Sequence, residues 1–328
     1  MPRTSIAQLR INMSLRKAPF LLREKSTMTT RAGSPMLRVV LADRTGTIGG
    51  VMFDVGAHIP DSLVVGGGAE VTGRISEYRE QLQISLERIT PVEITDPSEY
   101  LPVSRRDLDE MEMELDALIA GVEQPDLTRL LEAVFDDPAT RKAFVEAPAA
   151  KSNHHACVGG LMEHSLAVAR VVVTASGLYP DLDSDLVIAA ALLHDIGKMR
   201  SYDRLSFAMT PEGALWGHLS IGAALVQQVI DRLPEFDPNV RLRLIHTILA
   251  HHGKREAGSP VVPMTLEAIV LHHADHLDGD AQGAIDLYAR PQNEGETFTD
   301  FSFMHDTRLY KGPNQGGQRG GAEQGSLW

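Results

Sequence analysis

The sequence predicts a multidomain chain in which a small β-barrel of the OB type precedes an all-α body. Three observations carry that expectation. Between residues 15 and 95, short β-type runs alternate with Gly- and Asp-bearing turns; from Leu108 onward the apolar residues recur at helical spacing; and 328 residues exceed what one hydrophobic core comfortably supports. The expected boundaries are an N-terminal extension over 1–14, the barrel over 15–95, a linker over 96–107, the helical domain over 108–310 and a disordered tail over 311–328.

Five strands are expected in the barrel: FLLREKSTMTT, MLRVVLAD, GGVMFDV, GAEVTGRISEY and QLQISLERITPV. DRTG at 43–46 and VGGG at 65–68 supply the turn chemistry between them. Five short strands in so few residues fit a closed OB-type barrel, with an SH3-like or other small barrel as the alternative. The stretch DPSEYLPVSRRD carries two prolines and no period, which marks a linker. Beyond it, Leu108, Met111, Leu115, Leu118 and Ile119 open a helical pattern, and further helices are expected near 126–134, 137–145, 159–176, 184–194, 218–233, 238–251 and 265–278. The tail KGPNQGGQRGGAEQGSLW has too few apolar side chains to pack.

Composition narrows the class. At 43% hydrophobic and 23% charged, the chain matches neither a disordered nor a fibrous protein. No apolar run approaches the ~18 residues that span a bilayer, and the start lacks a secretory pattern, so the expectation is a cytoplasmic protein with no membrane partner. The Arg-bearing start (Arg3, Arg10, Arg16, Lys17) also fits a transit peptide. Cys157 is the only cysteine, which agrees with a reducing compartment. The net charge of −13 hides an asymmetry: residues 1–95 hold 12 Lys and Arg against 9 Asp and Glu, and the remainder 19 against 35. An acidic body can still take phosphates if it carries divalent ions, because the ions then set the local field.

The body also holds the residues that metal chemistry requires. The greasiest segment, AALLHDIGKM, ends in His194, Asp195 and Lys198; GGLMEHSLAVAR presents His164; GHLSIG presents His218; LAHHG presents His251 and His252; LHHADHLD presents Asp275. One histidine on an apolar helix is ordinarily a satisfied core or surface residue. His164, His194, Asp195 and Asp275, all within or at the ends of apolar helices, are harder to dismiss, since a buried charge is costly unless paired or metal-bound. Imidazole nitrogen with carboxylate oxygen suits Mn, Fe, Co, Ni or Zn.

His164, His194, Asp195 and Asp275 match, in order, the H…HD…D array of the HD superfamily of metal-dependent phosphohydrolases. The runs SNHHACVGGLMEHSLAVA, TPEGALWGHLSIGAALV and ILAHHGKREAGSPVVPMTLEAIVLHHADHLD, with LADRTGTIGGVMFDV in the head, narrow this further. Over roughly residues 15–300 the chain resembles the YhaM-type 3′→5′ exoribonucleases, which place an OB-fold before an HD domain. Cys157 departs from the aromatic residue expected there, and the tail has no counterpart.

The resemblance implies a divalent metal, Mn²⁺ foremost, as one or two ions. His164, His194, Asp195 and Asp275 would hold one; Asp195 would bridge to a second on His218 and His251. His154, His155 and His252 are weaker candidates, for direct ligation or for orienting the ligands. Asp195, Lys198 and His218 are expected to act on the substrate, Lys198 by approaching a phosphate oxygen from one helical turn beyond Asp195. Arg38, Arg44, Phe53, Arg74, Tyr78 and Arg79 are the candidate nucleic-acid contacts of the barrel, with a core position as the alternative for Phe53.

The implied function is hydrolysis of single-stranded RNA, with single-stranded DNA a second substrate, to nucleoside 5′-monophosphates. Oligomeric state is left open, a homo-oligomer included. A phosphohydrolase of small nucleotides is the first rival, but it leaves the barrel unexplained, and no GYP triplet accompanies the array to favour cyclic dinucleotides. A non-catalytic strand-binding protein is the second rival; an intact set of metal positions argues against it.

Overall fold

The computed structural model describes residues 5–29, 33–53, 62–78, 81–150, 155–290 and 293–312. Five strands, β1 (Ser14–Thr29), β2 (Pro35–Asp43), β3 (Gly46–Phe53), β4 (Gly68–Tyr78) and β5 (Gln81–Val92), close a barrel in the order β1-β2-β3-β5-β4. Closure depends on β1, whose 16 residues pair with β2 along one half and β4 along the other, and on a short parallel pairing of β3 with β5. Register shifts at Leu22/Glu24 and Leu15/Ala18 bend β1 around the barrel.

Alternation decides which side chains fill the interior. Leu37, Val39 and Leu41 of β2 point inward beside Phe20, Leu22, Val71, Ile75 and Ile84, while Arg38 points out. Each such burial contributes roughly 1.5–3 kcal/mol. Leu9, in the segment before β1, is also buried in this core, and the Ile6 amide donates to Asp43 Oδ2 at 2.8 Å.

Residues 96–107 are packed. A 3₁₀ turn at Pro97–Glu99 buries Tyr100 and Leu101 against Leu21 and Ala42 of the barrel and Val158 and Phe207 of the helical domain. Arg204 donates to the Ile94 carbonyl and pairs with Glu146.

The helical domain comprises α1 (Leu108–Ala120), α2 (Pro125–Phe135), α3 (Pro138–Glu146), α4 (Gly160–Leu178), α5 (Ser184–Leu193), α6 (Lys198–Ser201), α7 (Pro211–Ile230), α8 (Pro238–Ala250) and α9 (Leu266–Tyr288). Side-chain N-caps start most of them: Asp107, Gln124, Asp137, Asp183, Thr210, Asp237 and Thr265 each accept from an amide of the first turn. Helix α5 is the central rod, buried from Leu186 to Leu193 except for Ile188, and flanked by α4, α8 and α9.

Four features of this domain depart from the sequence expectation, the first being that α7 begins at Pro211, seven residues before the expected start near 218. Helix α9 runs ten residues past 278, through Gly279 and Gly283, because Leu287 finds a core position and Gln282 bonds Asp286 one turn on. A hairpin of β6 (Phe298–Ser302) and β7 (Thr307–Tyr310) follows, so the region up to 310 is not purely helical. Its aromatic and β-branched residues suit strands better than helix. Helix α4 is 19 residues with a mean hydropathy of 1.2, long and apolar enough to cross a bilayer. Its buried face belongs to the domain core, and it carries Glu163, His164 and Arg170.

Candidate metal centre

The ends of α5 and α8, the second turn of α4, the middle of α9 and the His218 turn of α7 converge on one cluster. His194 and Asp195 follow the last residue of α5, and His251 and His252 follow α8, so both pairs sit where helix carbonyls lack intrahelical partners. The helices use this. His194 Nδ1 lies 2.8 Å from the Ala191 carbonyl and His251 Nδ1 2.7 Å from that of Ile248. A carbonyl only accepts, so both Nδ1 atoms carry the proton and both Nε2 lone pairs face the cluster. His252 Nδ1 is fixed likewise on the Ala257 carbonyl at 2.8 Å.

Asp195 stands between two sets of imidazoles. Its Oδ2 is 3.4 Å from His164 Nε2 and 3.3 Å from His194 Nε2; its Oδ1 is 3.2 Å from His218 Nε2 and 3.7 Å from His251 Nε2. Asp275 Oδ1 joins the first set, 3.1 Å from His164 Nε2 and 3.8 Å from His194 Nε2. His252 joins the second: one ligand atom each from His218, His251 and His252 lie within 4.8 Å of one another, as do those of His164, His194 and Asp195. Lys198 Nζ is 2.6 Å from Asp195 Oδ2.

Backbone proximity makes this possible at Gly197. A Cβ there would lie 2.0 Å from the His218 carbonyl oxygen and 2.6 Å from the Gly222 amide nitrogen. Only glycine lets the turn after Asp195 rest on α7, which carries His218 to Asp195.

Two atoms test the fit of a cation. Among the described residues, Asp195 Oδ1 and His218 Nε2 are shut off from solvent and have no hydrogen-bond partner, although buried polar atoms left unsatisfied cost about 1–3 kcal/mol each. An acceptor oxygen and an imidazole lone pair side by side suit a divalent ion. The electrostatics agree. Burial opposes charge on His164, but Asp195, Asp275 and Asp278 hold its pKa well above the ordinary value. Burial pushes His251 well below its ordinary value and His218 down to about 3, so both stay neutral and ready to coordinate. Burial opposes ionisation of Asp195, yet the Lys198 ammonium holds it well below the carboxylate range; Asp275 is likewise depressed, against burial, chiefly by His164.

Asp278, which the sequence reading missed, accepts from His164 Nδ1 at 2.7 Å and lies 3.1 Å from His155 Nε2. It orients His164 from behind. Its signal was present: Asp278 is three residues after Asp275, on the same helix face. His155 faces Asp278 and Glu163 rather than the cluster centre, and His272 Nδ1 donates to the His251 carbonyl at 2.7 Å. His154 and Arg79 lie outside the described residues.

On the barrel, Arg38 pairs with Val51, Val51 with Ser85, and Ser85 with Arg74, so both arginines lie in one outward row across β2-β3-β5-β4. At ~4.8 Å per strand they stand about 14 Å apart. Phe53 is two residues beyond Val51 and Tyr78 four beyond Arg74, on the same face and toward opposite ends. Phe53 is 61% exposed, so it is not a core residue. Arg44 does not share this face; it sits in the β2–β3 turn, its amide donating to the Glu99 carbonyl.

Comparison with known proteins agrees with this architecture. Residues 161–280 match the HD domain family and residues 22–92 the family described as an OB-fold nucleic acid binding domain. Among solved structures, the chain is similar to the second OB-fold domain of replication protein A from Methanococcus maripaludis, at 22% identity, covering 29% of this chain and 99% of that one, with a TM-score of 0.22. A crystal structure of a domain of the same protein gives 23% identity over 28% of this chain and 97% of that one, again with a TM-score of 0.22. The chain therefore joins an OB-fold barrel to a helical HD domain, the domain type of metal-dependent phosphohydrolases.

Proposed function

We propose that the protein is a metal-dependent 3′→5′ exoribonuclease of the cytoplasm that hydrolyses single-stranded RNA, and single-stranded DNA as a second substrate, to nucleoside 5′-monophosphates. The observation that carries the reading is the division of Asp195, one oxygen toward His164 and His194 and the other toward His218 and His251. Such a carboxylate fits two divalent ions, Mn²⁺ foremost, which when bound supply an activated water and positive charge against the phosphoryl oxygens.

The chain's own residues do the rest. His164, His194 and Asp275 complete one half-site and His218, His251 and His252 the other. The Ala191 and Ile248 carbonyls keep His194 and His251 in the tautomer that presents Nε2. Lys198, held on Asp195 and 15% exposed, offers an ammonium to the phosphate from the solvent side. Its pKa stays raised, since Asp195 outweighs burial, so it does not act as a base at neutral pH. Arg38 and Arg74, with Phe53 and Tyr78 flanking, suit a backbone-tracking surface with base platforms.

The test is a time course on 5′-labelled single-stranded RNA with Mn²⁺. Progressive shortening with the label retained, and nucleoside 5′-monophosphates by mass spectrometry, is the expected result. Internal fragments, or turnover of small nucleotides alone, would contradict it.

A further inference from the structure

Between the cap of α7 and His218, the sequence ALWGH places two large apolar residues on the surface: Leu215 is 82% and Trp216 63% exposed, with Met209 just upstream at 53%. The following residue, Gly217, has φ 73° and ψ 149°, a non-helical break inside α7 that is open almost only to glycine. Among the described residues a Cβ on Gly217 would meet nothing within 4 Å, so its glycine serves the backbone turn and not a close approach. The break separates the turn bearing Trp216 from the helix bearing His218. It leaves the indole outside the core while His218 enters the cluster.

Distance then restricts what the indole can meet. Two residues span at most ~7 Å between Cα atoms. His218 Nε2 is 3.2 Å from Asp195 Oδ1, and the His218 side chain, 18% exposed, lies on the open side of the cluster, as does Lys198. A nucleotide whose phosphate sits at Asp195 and whose chain leaves past His218 brings a base toward Trp216, an exposed aromatic ring two residues from that histidine.

Resting on the nuclease reading above, we infer that Trp216 is a base-stacking residue of the active site, the platform for a nucleobase next to the scissile phosphate. Stacking tolerates every base, which suits an enzyme that removes nucleotides in succession. The class of ligand is thereby narrowed to a strand end carrying a base, and phosphate esters without one lack this contact.

The experiment uses the full chain with Trp328→Phe, which leaves Trp216 as its sole tryptophan. In EDTA, single-stranded hexa-adenylate should quench the Trp216 emission saturably, and the same oligomer with an abasic 3′-terminal nucleotide should quench it less. In Mn²⁺, Trp216→Ala should raise KM for RNA roughly 5- to 150-fold, the equivalent of about 1–3 kcal/mol for one base–aromatic stack, and Trp216→Phe should recover most of it. Metal content should match wild type in both variants. Unquenched emission together with a wild-type KM in Trp216→Ala would overturn the inference. So would a smaller assembly for Trp216→Ala on size exclusion, which would make Leu215 and Trp216 a seat for a second copy. If wild type fails to shorten RNA, the nuclease reading fails, and the quenching arm still reports whether the indole meets a base.

Discussion

Single residues carry the chemistry, and their replacement separates their roles. Asp195→Ala or His194→Ala should abolish Mn²⁺-dependent hydrolysis and lower bound metal, with the helical circular-dichroism signal retained. Lys198→Met should leave metal content at the wild-type value and cut turnover roughly 10- to 1000-fold, the range of a lost electrostatic stabiliser. Asp278→Asn tests orientation: metal affinity should fall about 10- to 100-fold, because His164 loses the carboxylate on its Nδ1. The cluster also fixes a pH dependence. His164, with a raised pKa, stabilises the ion-free fold fully below about pH 6.5 and loses that contribution as pH rises through its folded value; His218 and His251, with lowered values, contribute above about pH 6.5 and lose it as pH falls. EDTA-treated protein should therefore melt highest near pH 6.5, its melting temperature declining toward pH 9. Mn²⁺ should remove the alkaline decline, since the ion replaces the proton on His164 Nε2. Parallel declines in both melting series would contradict that account. His164, His194, Asp195 and Asp275 were legible in the sequence because each interrupts an apolar run. Asp278 offered only its spacing of three from Asp275 on one helix face, which does not say which imidazole lies behind it.

Elements bring those residues together through backbone geometry that composition hides. Gly197 reads as an ordinary turn residue until the His218 carbonyl appears 2.0 Å from where its Cβ would be. Gly197→Ala should separate the Asp195 turn from α7, lowering the melting temperature and the metal content together. Variants of Asp278 should lower metal affinity with little loss of helix. The strands and most helices were readable from period and capping: β2 alternates inward Leu37, Val39 and Leu41 with outward Arg38, and the caps Asp183 and Asp237 precede their helices. The break at Gly217 was not readable, because a lone glycine in an apolar helical pattern is compatible with an unbroken helix.

At the scale of the whole molecule, the acidic helical domain and the mildly basic barrel divide the work of an enzyme on a polyanion. The Arg38 and Arg74 row should supply part of the strand affinity. Arg38→Ala with Arg74→Ala should weaken binding of long single strands and reduce the log–log salt slope by about 1.4, at ~0.7 per lost phosphate contact. An unchanged slope would move the strand off this face. The two-part architecture was visible from the change of period near residue 108. The buried Tyr100 and Leu101 between the parts were not, since a proline-bearing stretch without period looks the same whether packed or free.

Mn²⁺ electron paramagnetic resonance during a metal titration decides whether Asp195 joins two half-sites into one centre. Wild type should take up two ions whose signals are exchange-coupled, and His218→Ala should retain one uncoupled ion on His164, His194, Asp195 and Asp275. A single uncoupled ion in wild type, or two uncoupled ones, would contradict it.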